Sequence, residues 1–526
     1  LTDGGGSGNV ALARPALAWT LWQRVCGGCR RAHRDAGGNR PGDPSPHREP
    51  HLPVSTQRAL FVVPPTGKFI REDRCQTPID RLKTVALRPP IDLLYAAACY
   101  EKEGIECRMV DYPAEDRTWD AFERDLREFQ PQTVVMSITT PSLNEDLKAA
   151  AFAKRTVPGI QTIAKGAHFN TLDLDTLAKC ADLDIVLRGE YEETCMELAQ
   201  GRDMAQIAGL SWRNAEGQPV RNPDRKLPDD LDIIPYPARH LANNALYIRP
   251  DTGEMQTTLV TNRGCPFSCS YCLANQVSGL KNRYRSVENV MGEIRQCVER
   301  HGIRSFLFRS DLFTQNKSWV IQLCQAILDS RLDISWACNS RVDTINEEAL
   351  RWMKKAGCWI IAFGVEKGDN ESLRRINKKA TIETARKALA MTREAGIRRS
   401  IYILFGLPDD SEPTLWNDIE FAKELDPDFL EIFYAYPFPG TPLYREAVEA
   451  GLIRDGDIPV EAYGLPAMPT KHISMERLTA LRTQALRRFY MRPRFIARTL
   501  RKASSPKELA NYIRHGMIAA KAMFAG

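Results

Sequence analysis

From Arg58 onward, short apolar runs alternate with helix-like stretches, and this alternation restricts the chain to α/β architecture with parallel sheets under helices. The first series reads as strands over 58–65, 106–113, 133–142, 159–168 and 184–190, with helices over 90–103, 118–128 and 144–155 between them. It predicts a doubly wound, Rossmann-like sheet across residues 57–205, of the kind that binds ligands beyond the carboxyl ends of its strands. Those ends carry Thr66 and Gly67, Thr139 and Ser142, Gly166, and Gly189 with Glu190. Small or hydroxyl-bearing residues there let a large ligand lie against the backbone. A hairpin at GLSWRNAEGQPVR and a Pro- and Asp-rich connection occupy a linking segment over 206–255.

A second series fills residues 256–445, with strands over 257–262, 305–310, 333–340, 359–366, 398–406 and 429–437. Six βα units are too few to close the usual eight, so they predict an open, partial TIM-type (βα)6 barrel. Chemistry in parallel barrels sits just past the strand ends. Here those positions are the loop after residue 262, Ser310 and Asp311, Asn339 to Arg341, Glu366, Gly406 to Pro408, and Tyr434 to Pro437. Residues 446–526 read as a small helical C-terminal region.

The loop after the first barrel strand, TNRGCPFSCSYCLAN, sets Cys265, Cys269 and Cys272 in a C-x3-C-x2-C run. Three thiolates in one short loop can hold three corners of a cubane iron–sulfur cluster and leave its fourth iron without a protein ligand. An open metal position can take a chelating substrate. The spacing is asymmetric, unlike the paired CxxC of a zinc ribbon, and no His or fourth Cys follows at a zinc distance. The alternative is three incidental thiols. Cys297, Cys324, Cys338 and Cys358 fall in helical or strand patterns and read as core. Cys26 and Cys29 form a lone CxxC near His33, read as chance.

Gly264, the three cysteines and Tyr271 resemble the signature of the radical S-adenosylmethionine (SAM) family, in which the open iron chelates SAM. AFGVEKG, around Glu366, resembles that family's strand end along SAM, and ILFGLP, around Gly406, resembles its turn near the adenine. The resemblance implies a [4Fe-4S] cluster on Cys265, Cys269 and Cys272, the catalytic metal ligands, with Tyr271, Glu366 and Gly406 beside SAM. Asp311 and Arg341 are the expected partners of the amino and carboxylate ends of SAM, by charge complementarity; a structural ion pair is the competing reading of each.

LRGEYEET is similar to the R-G-E-x-E-x-T stretch of the cobalamin-dependent members of that family, which identifies the first sheet with their cobalamin-binding domain. Members that ligate cobalt from below use the His of a D-x-H-x-x-G motif, and this chain has no such motif. The resemblance therefore implies cobalamin with no His on cobalt. Arg71, Glu72, Arg74, Cys75 and Gln76 are the candidates for the lower face of the corrin. His168 reads as a neighbour of the nucleotide tail or as a loop-closing residue.

The activity implied is methylation of an unactivated carbon, or of phosphorus, in a small molecule or lipid, through a 5′-deoxyadenosyl radical and methylcobalamin. An electron donor such as flavodoxin or ferredoxin would serve it. The rival enzyme is an anaerobic oxidative cyclase, and the rival of another class is a cobalamin-binding sensor with an idle barrel. Fourteen cysteines without a small-scaffold pattern, and no secretory leader, imply reduced thiols in a cytoplasm. No apolar run approaches the roughly 20 residues of a membrane span. Residues 475–526 carry twelve Lys or Arg against two Glu, and RRFYMRPRFIARTLRK mixes aromatic with basic side chains. That pattern suits peripheral membrane contact, an anionic substrate or a helical cap. No RNA-binding module is recognisable, so nucleic acid is not an expected partner. Residues 1–56, rich in Gly, Pro and Arg, are expected to form a disordered leader.

Overall fold

The structure is a computed structural model that describes residues 56–72, 75–78, 87–457, 465–503 and 505–524. The expected leader with Cys26, Cys29 and His33, and also Arg74, lie outside the described residues.

Five parallel strands form the first sheet: β1 (Arg58–Val63), β2 (Glu106–Asp111), β3 (Thr133–Ser137), β4 (Gln161–Lys165) and β5 (Ile185–Leu187). Their order is β2-β1-β3-β4-β5. Helices cover both faces, which is why β1 and β3 read as unbroken apolar runs instead of alternating ones. Phe61 and Val63 pack with the helix Ile91–Lys102 on one face; Leu60 and Val62 pack with Trp119–Phe129 and Lys148–Thr156 on the other. The strand order reverses between β1 and β3, and such a switch point opens the crevice where these sheets take ligands.

The hairpin strands β6 (Leu210–Arg213) and β7 (Pro219–Arg221) add to β5 in antiparallel sense. They belong to the first sheet and not to the linking segment, because they pair the backbone groups that a bare β5 edge would expose.

The second sheet comprises β8 (Gln256–Arg263), β9 (Arg283–Tyr284), β10 (Ser305–Ser310), β11 (Ser335–Arg341), β12 (Cys358–Glu366), β13 (Arg398–Phe405) and β14 (Phe429–Tyr434). Their order is β9-β8-β10-β11-β12-β13-β14, parallel except for β9. The barrel is therefore open between β9 and β14. Phe306, Phe308, Trp336, Ile361, Phe363 and Ile401 pack outward beneath the helices, which leaves alternate residues facing the lumen.

The free edge of β14 is met by the helix Met475–Tyr490. The Tyr490 hydroxyl accepts from Leu430 N–H at 2.9 Å and donates to Leu430 C=O at 2.7 Å, while Arg482 donates to Ile432 C=O at 2.7 Å. Two side chains thus take the place of a neighbouring strand.

The linking segment is tied to both sheets. Arg239, fully buried, pairs with Glu293 at 2.6 Å and donates to Thr258 C=O on β8 at 2.7 Å. The adjacent Ala238 N–H reaches Leu94 C=O, in the first domain, at 3.0 Å.

Candidate active site

β8 runs directly into the cysteine loop. Gly264 has φ 92°, and a Cβ on it would lie 2.0 Å from the Lys281 carbonyl oxygen, so no other residue fits without moving the loop. Hydrogen bonds from neighbouring segments fix the loop backbone: Cys265 N–H to Gly279 C=O at 3.1 Å, Ser270 N–H to Ile376 C=O at 3.0 Å, and the Asn377 amide to Ser268 C=O at 2.7 Å. Cys265 is buried, and Cys269 and Cys272 are half-buried. Burial pushes the Cys265 thiol up, and Cys272 and Cys269 beside it add to the push. The Cys265 thiol therefore resists ionising, and filling the site with iron and losing that proton are coupled events. Among the described residues no three His, Cys, Asp or Glu side chains converge on a single ion. The thiolates of a cubane each bind a different iron, so three thiols on one braced loop suit a cluster and not one cation.

Arg341 closes one side of this loop. Its guanidinium lies 3.7 Å from the Phe267 ring centroid and 3.8 Å from Cys269 Sγ, holds both oxygens of Asp343 at 2.9 and 2.7 Å, and donates to Lys378 C=O at 2.5 Å. These contacts make Arg341 a charged wall beside the Cys269 thiol, with its guanidinium held by Asp343. Asp311, expected at the SAM amino group, accepts from Gly264 N–H through Oδ2 at 2.6 Å and so anchors the start of the loop.

Tyr271 and Glu366 do come together, through a residue the sequence reading missed. Lys378 Nζ lies 2.8 Å from Glu366 Oε1 and 3.4 Å from the Tyr271 hydroxyl. Glu366 has φ 69° at a register shift in β12, a strained conformation of the kind that clusters at functional sites. A Cβ on Gly364 would lie 2.4 Å from that carboxylate, so the pair needs glycine beside it.

At the Gly406 turn the N–H groups of Gly406 and Leu407 both donate to Asp410 Oδ2, at 2.9 and 3.0 Å. Lys367, fully buried next to Glu366, pairs with Asp410 at 2.8 Å and Asp418 at 2.6 Å, and thereby joins this turn to the β12 end. Burial pushes Asp418 up to about 7 against the pull of Lys367, with Asp410 adding to the rise. The folded chain therefore keeps a proton on Asp418 that the unfolded chain releases near pH 4. The stability this proton confers is present below about pH 4 and declines as pH rises toward 7. The urea midpoint of the wild type is expected to fall between pH 5 and 7, and Asp418→Asn to flatten that slope; an unchanged slope in the variant would remove Asp418 as its source.

On the first sheet, Thr66, Thr139 and Ser142 meet across the switch point on the buried Asp146, again a residue the sequence reading passed over. Thr66 Oγ1 donates to Asp146 Oδ1 at 2.6 Å and Ser142 Oγ to Oδ2 at 2.5 Å, with Thr139 Oγ1 3.1 Å from Ser142 Oγ. Gly67 follows Thr66 on the exposed surface. Gly166, at φ 151°, packs so closely that a Cβ would fall 1.9 Å from Ile138 C=O, leaving the end of β4 as bare backbone. Gly189 N–H donates to Asn170 Oδ1 at 2.7 Å. Arg71, Glu72, Cys75 and Gln76 lie on a two-stranded hairpin, Phe69–Glu72 with Cys75–Pro78. His168 is the loop-closing residue of the two readings: its nitrogens face the hydroxyls of Thr140 at 3.2 Å and Thr176 at 3.1 Å, and burial pushes it down to about 4.

Glu190 lines the cavity between the two sheets and is also held by the barrel. Both its oxygens bind the Arg283 guanidinium of β9, at 2.5 and 3.0 Å, and Glu192 binds Arg263 of β8 at 2.5 and 3.0 Å. The acidic pair of LRGEYEET is an electrostatic clamp between the domains.

The two ligand edges share one cavity. Asp92, Tyr95, Lys165 and Gly166 line it from the first domain, and Asn262, Ser310 and Asp311 from the barrel. Lys165 is buried in an ion pair with Asp92, which also accepts from Ser137 Oγ at 2.8 Å. The bare backbone at Gly166 lets a large group approach the end of β4 closely, which suits cobalamin, and Gly166 lines the same cavity as Asn262, Arg263 and Asp311 at the start of the cysteine loop.

The comparisons with known proteins agree with this geometry. The family model for the B12 binding domain matches residues 82–199, and that for the Radical SAM superfamily matches residues 259–422. "Uncharacterized methyltransferase PH0819" of Pyrococcus horikoshii is 30% identical over 452 residues, 85% of this chain and 95% of that protein. The anaerobic magnesium-protoporphyrin IX monomethyl ester cyclase of Rubrivivax gelatinosus is 26% identical over 421 residues, 78% of this chain and 75% of the cyclase. The fold is also that of the cobalamin-dependent SAM radical enzyme OxsB, with a TM-score of 0.66 at 15% identity over 90% of this chain and 72% of OxsB. This chain belongs to the cobalamin-dependent radical SAM family and is a methyltransferase of that family, with a [4Fe-4S] cluster, SAM and cobalamin as its cofactors.

Proposed function

We propose that the methyl acceptor is an unactivated carbon, or a phosphorus atom, of a small molecule or lipid, and that it reacts in the cavity between the two ligand edges. The observation that carries this reading is that cavity, because it brings the bare β4 end within one space of the loop that holds the cluster thiols. When bound, the three cofactors supply one-electron and methyl-transfer chemistry. The chain's own work is positional. The Glu190–Arg283 and Glu192–Arg263 pairs hold the two edges face to face, and the buried pair of Lys165 with Asp92 keeps a charge-balanced wall on the cavity. Fixed distances of this kind lower the entropic cost of aligning reactants, and an enclosed site keeps water from reactive carbon.

A flavodoxin- or ferredoxin-type donor in a cytoplasm is the reductant in this reading. Among the described residues no helix is long and apolar enough to cross a membrane. Exposed Ile496, Leu500, Leu509, Ile513 and Met517, on helices with a basic surround, support peripheral contact with an anionic bilayer. The test is to feed methyl-labelled SAM to the anaerobically reconstituted, reduced enzyme with extracts of its host, with and without anionic vesicles. Label is expected in a product. Deoxyadenosine with an unlabelled product would favour ring formation, the reaction named for the Rubrivivax relative, and would end the methylation claim. Failure to sediment with the vesicles would end the membrane contact alone.

A further inference from the structure

The guanidinium of Arg341 is held along one edge, and the nitrogen this leaves over is aimed at a cluster thiol. Its Nε and Nη2 bind the two oxygens of Asp343, and Nη2 also donates to Lys378 C=O. The Phe267 ring, 3.7 Å from Cζ, packs on it as well. Nη1 has one partner among the described residues, Cys269 Sγ at 3.8 Å. A second thiol of the loop also receives a donor, since Ala274 N–H reaches Cys272 Sγ at 3.4 Å.

The ion pair does not cancel at Cys269. A carboxylate bound across Nε and Nη2 lies on the far side of the guanidinium from Nη1, so the positive end is the nearer one to the sulfur. Solvent adds to the asymmetry: the Arg341 side chain is 8% exposed and that of Asp343 21%, so water screens the carboxylate more. The other charges at the loop form a constant background. Lys378 is paired with Glu366, and Asp311 accepts from Gly264 N–H.

We propose that Arg341 is a positioning residue for electron entry: its guanidinium, oriented by Asp343, acts through Cys269 to raise the reduction potential of the cluster. Reduction places one electron from the external donor on the cluster and breaks no bond, so the step adds one negative charge. Hydrogen bonds to the ligand sulfurs and net charge set such potentials, and a cationic N–H at Cys269 favours the reduced state. The donor therefore needs to be less strongly reducing. This inference rests on the cluster and not on the choice of methyl acceptor.

The test is the midpoint potential of the cluster in the reconstituted holoenzyme without SAM, with the reduced cluster counted by its electron paramagnetic resonance signal at a series of applied potentials. Only assembled clusters give that signal, so poorer iron loading in a variant does not move the midpoint. Arg341→Gln is expected to lower it by about 59 mV or more, a tenfold change in the ratio of reduced to oxidised cluster for one electron. Arg341→Lys keeps the charge without the planar fork and should fall between that variant and the wild type. Asp343→Asn should raise the midpoint, by about threefold in the same ratio, because it removes the opposing charge and keeps an acceptor for the guanidinium. A residue that only braced the loop would change iron content in these variants and leave every midpoint alone. An unchanged or raised midpoint in Arg341→Gln, or an unchanged or lowered one in Asp343→Asn, overturns the proposal. Shifted midpoints without labelled product would sink methyl transfer alone; labelled product with unmoved midpoints would sink the tuning alone.

Discussion

Cys269→Ala is expected to leave the fold intact and to cut SAM cleavage by more than the roughly 10–100-fold that loss of an outer-shell partner costs at metal sites. Cys269 is half-buried, so removing its sulfur leaves only a small gap in packing. It is also one of three thiols on a loop whose backbone is fixed by Gly279, Ile376 and Asn377, so a substitute ligand cannot swing in. Iron and sulfide content after anaerobic reconstitution, together with deoxyadenosine formation, measure the effect. Cys297→Ala is the control, because Cys297 packs in the barrel core between helices and strands. That variant should lose stability and keep its iron. Full iron content and full SAM cleavage in Cys269→Ala would remove the loop from the catalytic centre.

Arg283→Met should destabilise the chain by about 3 kcal/mol, the lower end of the range for breaking a buried ion pair by removing one partner. The lower end applies because Arg263 stands 3.5 Å from Glu190 and takes up part of the stranded charge. Arg283 also donates to Pro228 C=O at 2.6 Å and Ser278 C=O at 3.0 Å, so the variant loosens the linking segment and the end of the cysteine loop together. Urea unfolding and limited proteolysis of the segment before β8 are the measurements. Adding Glu190→Gln should restore part of the loss by removing the unpaired charge. A single variant with wild-type stability and protease resistance would show that the clamp contributes nothing.

The parallel strands of both sheets are legible in the chain because buried parallel strands carry dense β-branched and aromatic runs, as RALFVV and TVVMS do, whereas the two-residue antiparallel β9 leaves no such run. The cluster loop was legible because its chemistry is local, within the eight residues from Cys265 to Cys272. Charge pairing was not. Glu190 and Arg283 are 93 positions apart, and Thr66 and Asp146 are 80 apart, so nothing in the spacing joins them. Charge complementarity points Arg341 and Asp311 at SAM, but it does not show the bonds they make within the protein, to Asp343 and to Gly264 N–H. Lys378 left a faint trace, since the Asn377 and Lys379 that flank it take left-handed conformations at φ 52° and 53°, which asparagine tolerates better than most residues. The hairpin β6–β7 was found but placed in the wrong unit, because sequence shows that two strands pair and not which edge they extend.

Tyr490 and Arg482 have a consequence for solubility. An unpaired ladder on a long edge strand is a template onto which strands of other molecules can add, and a barrel of six units cannot remove that edge by closing. By occupying the Leu430 and Ile432 backbone groups, the two side chains blunt the edge without a seventh parallel strand. The helix that carries them therefore acts as a guard against self-association, and the barrel can stay open to its substrate without becoming adhesive.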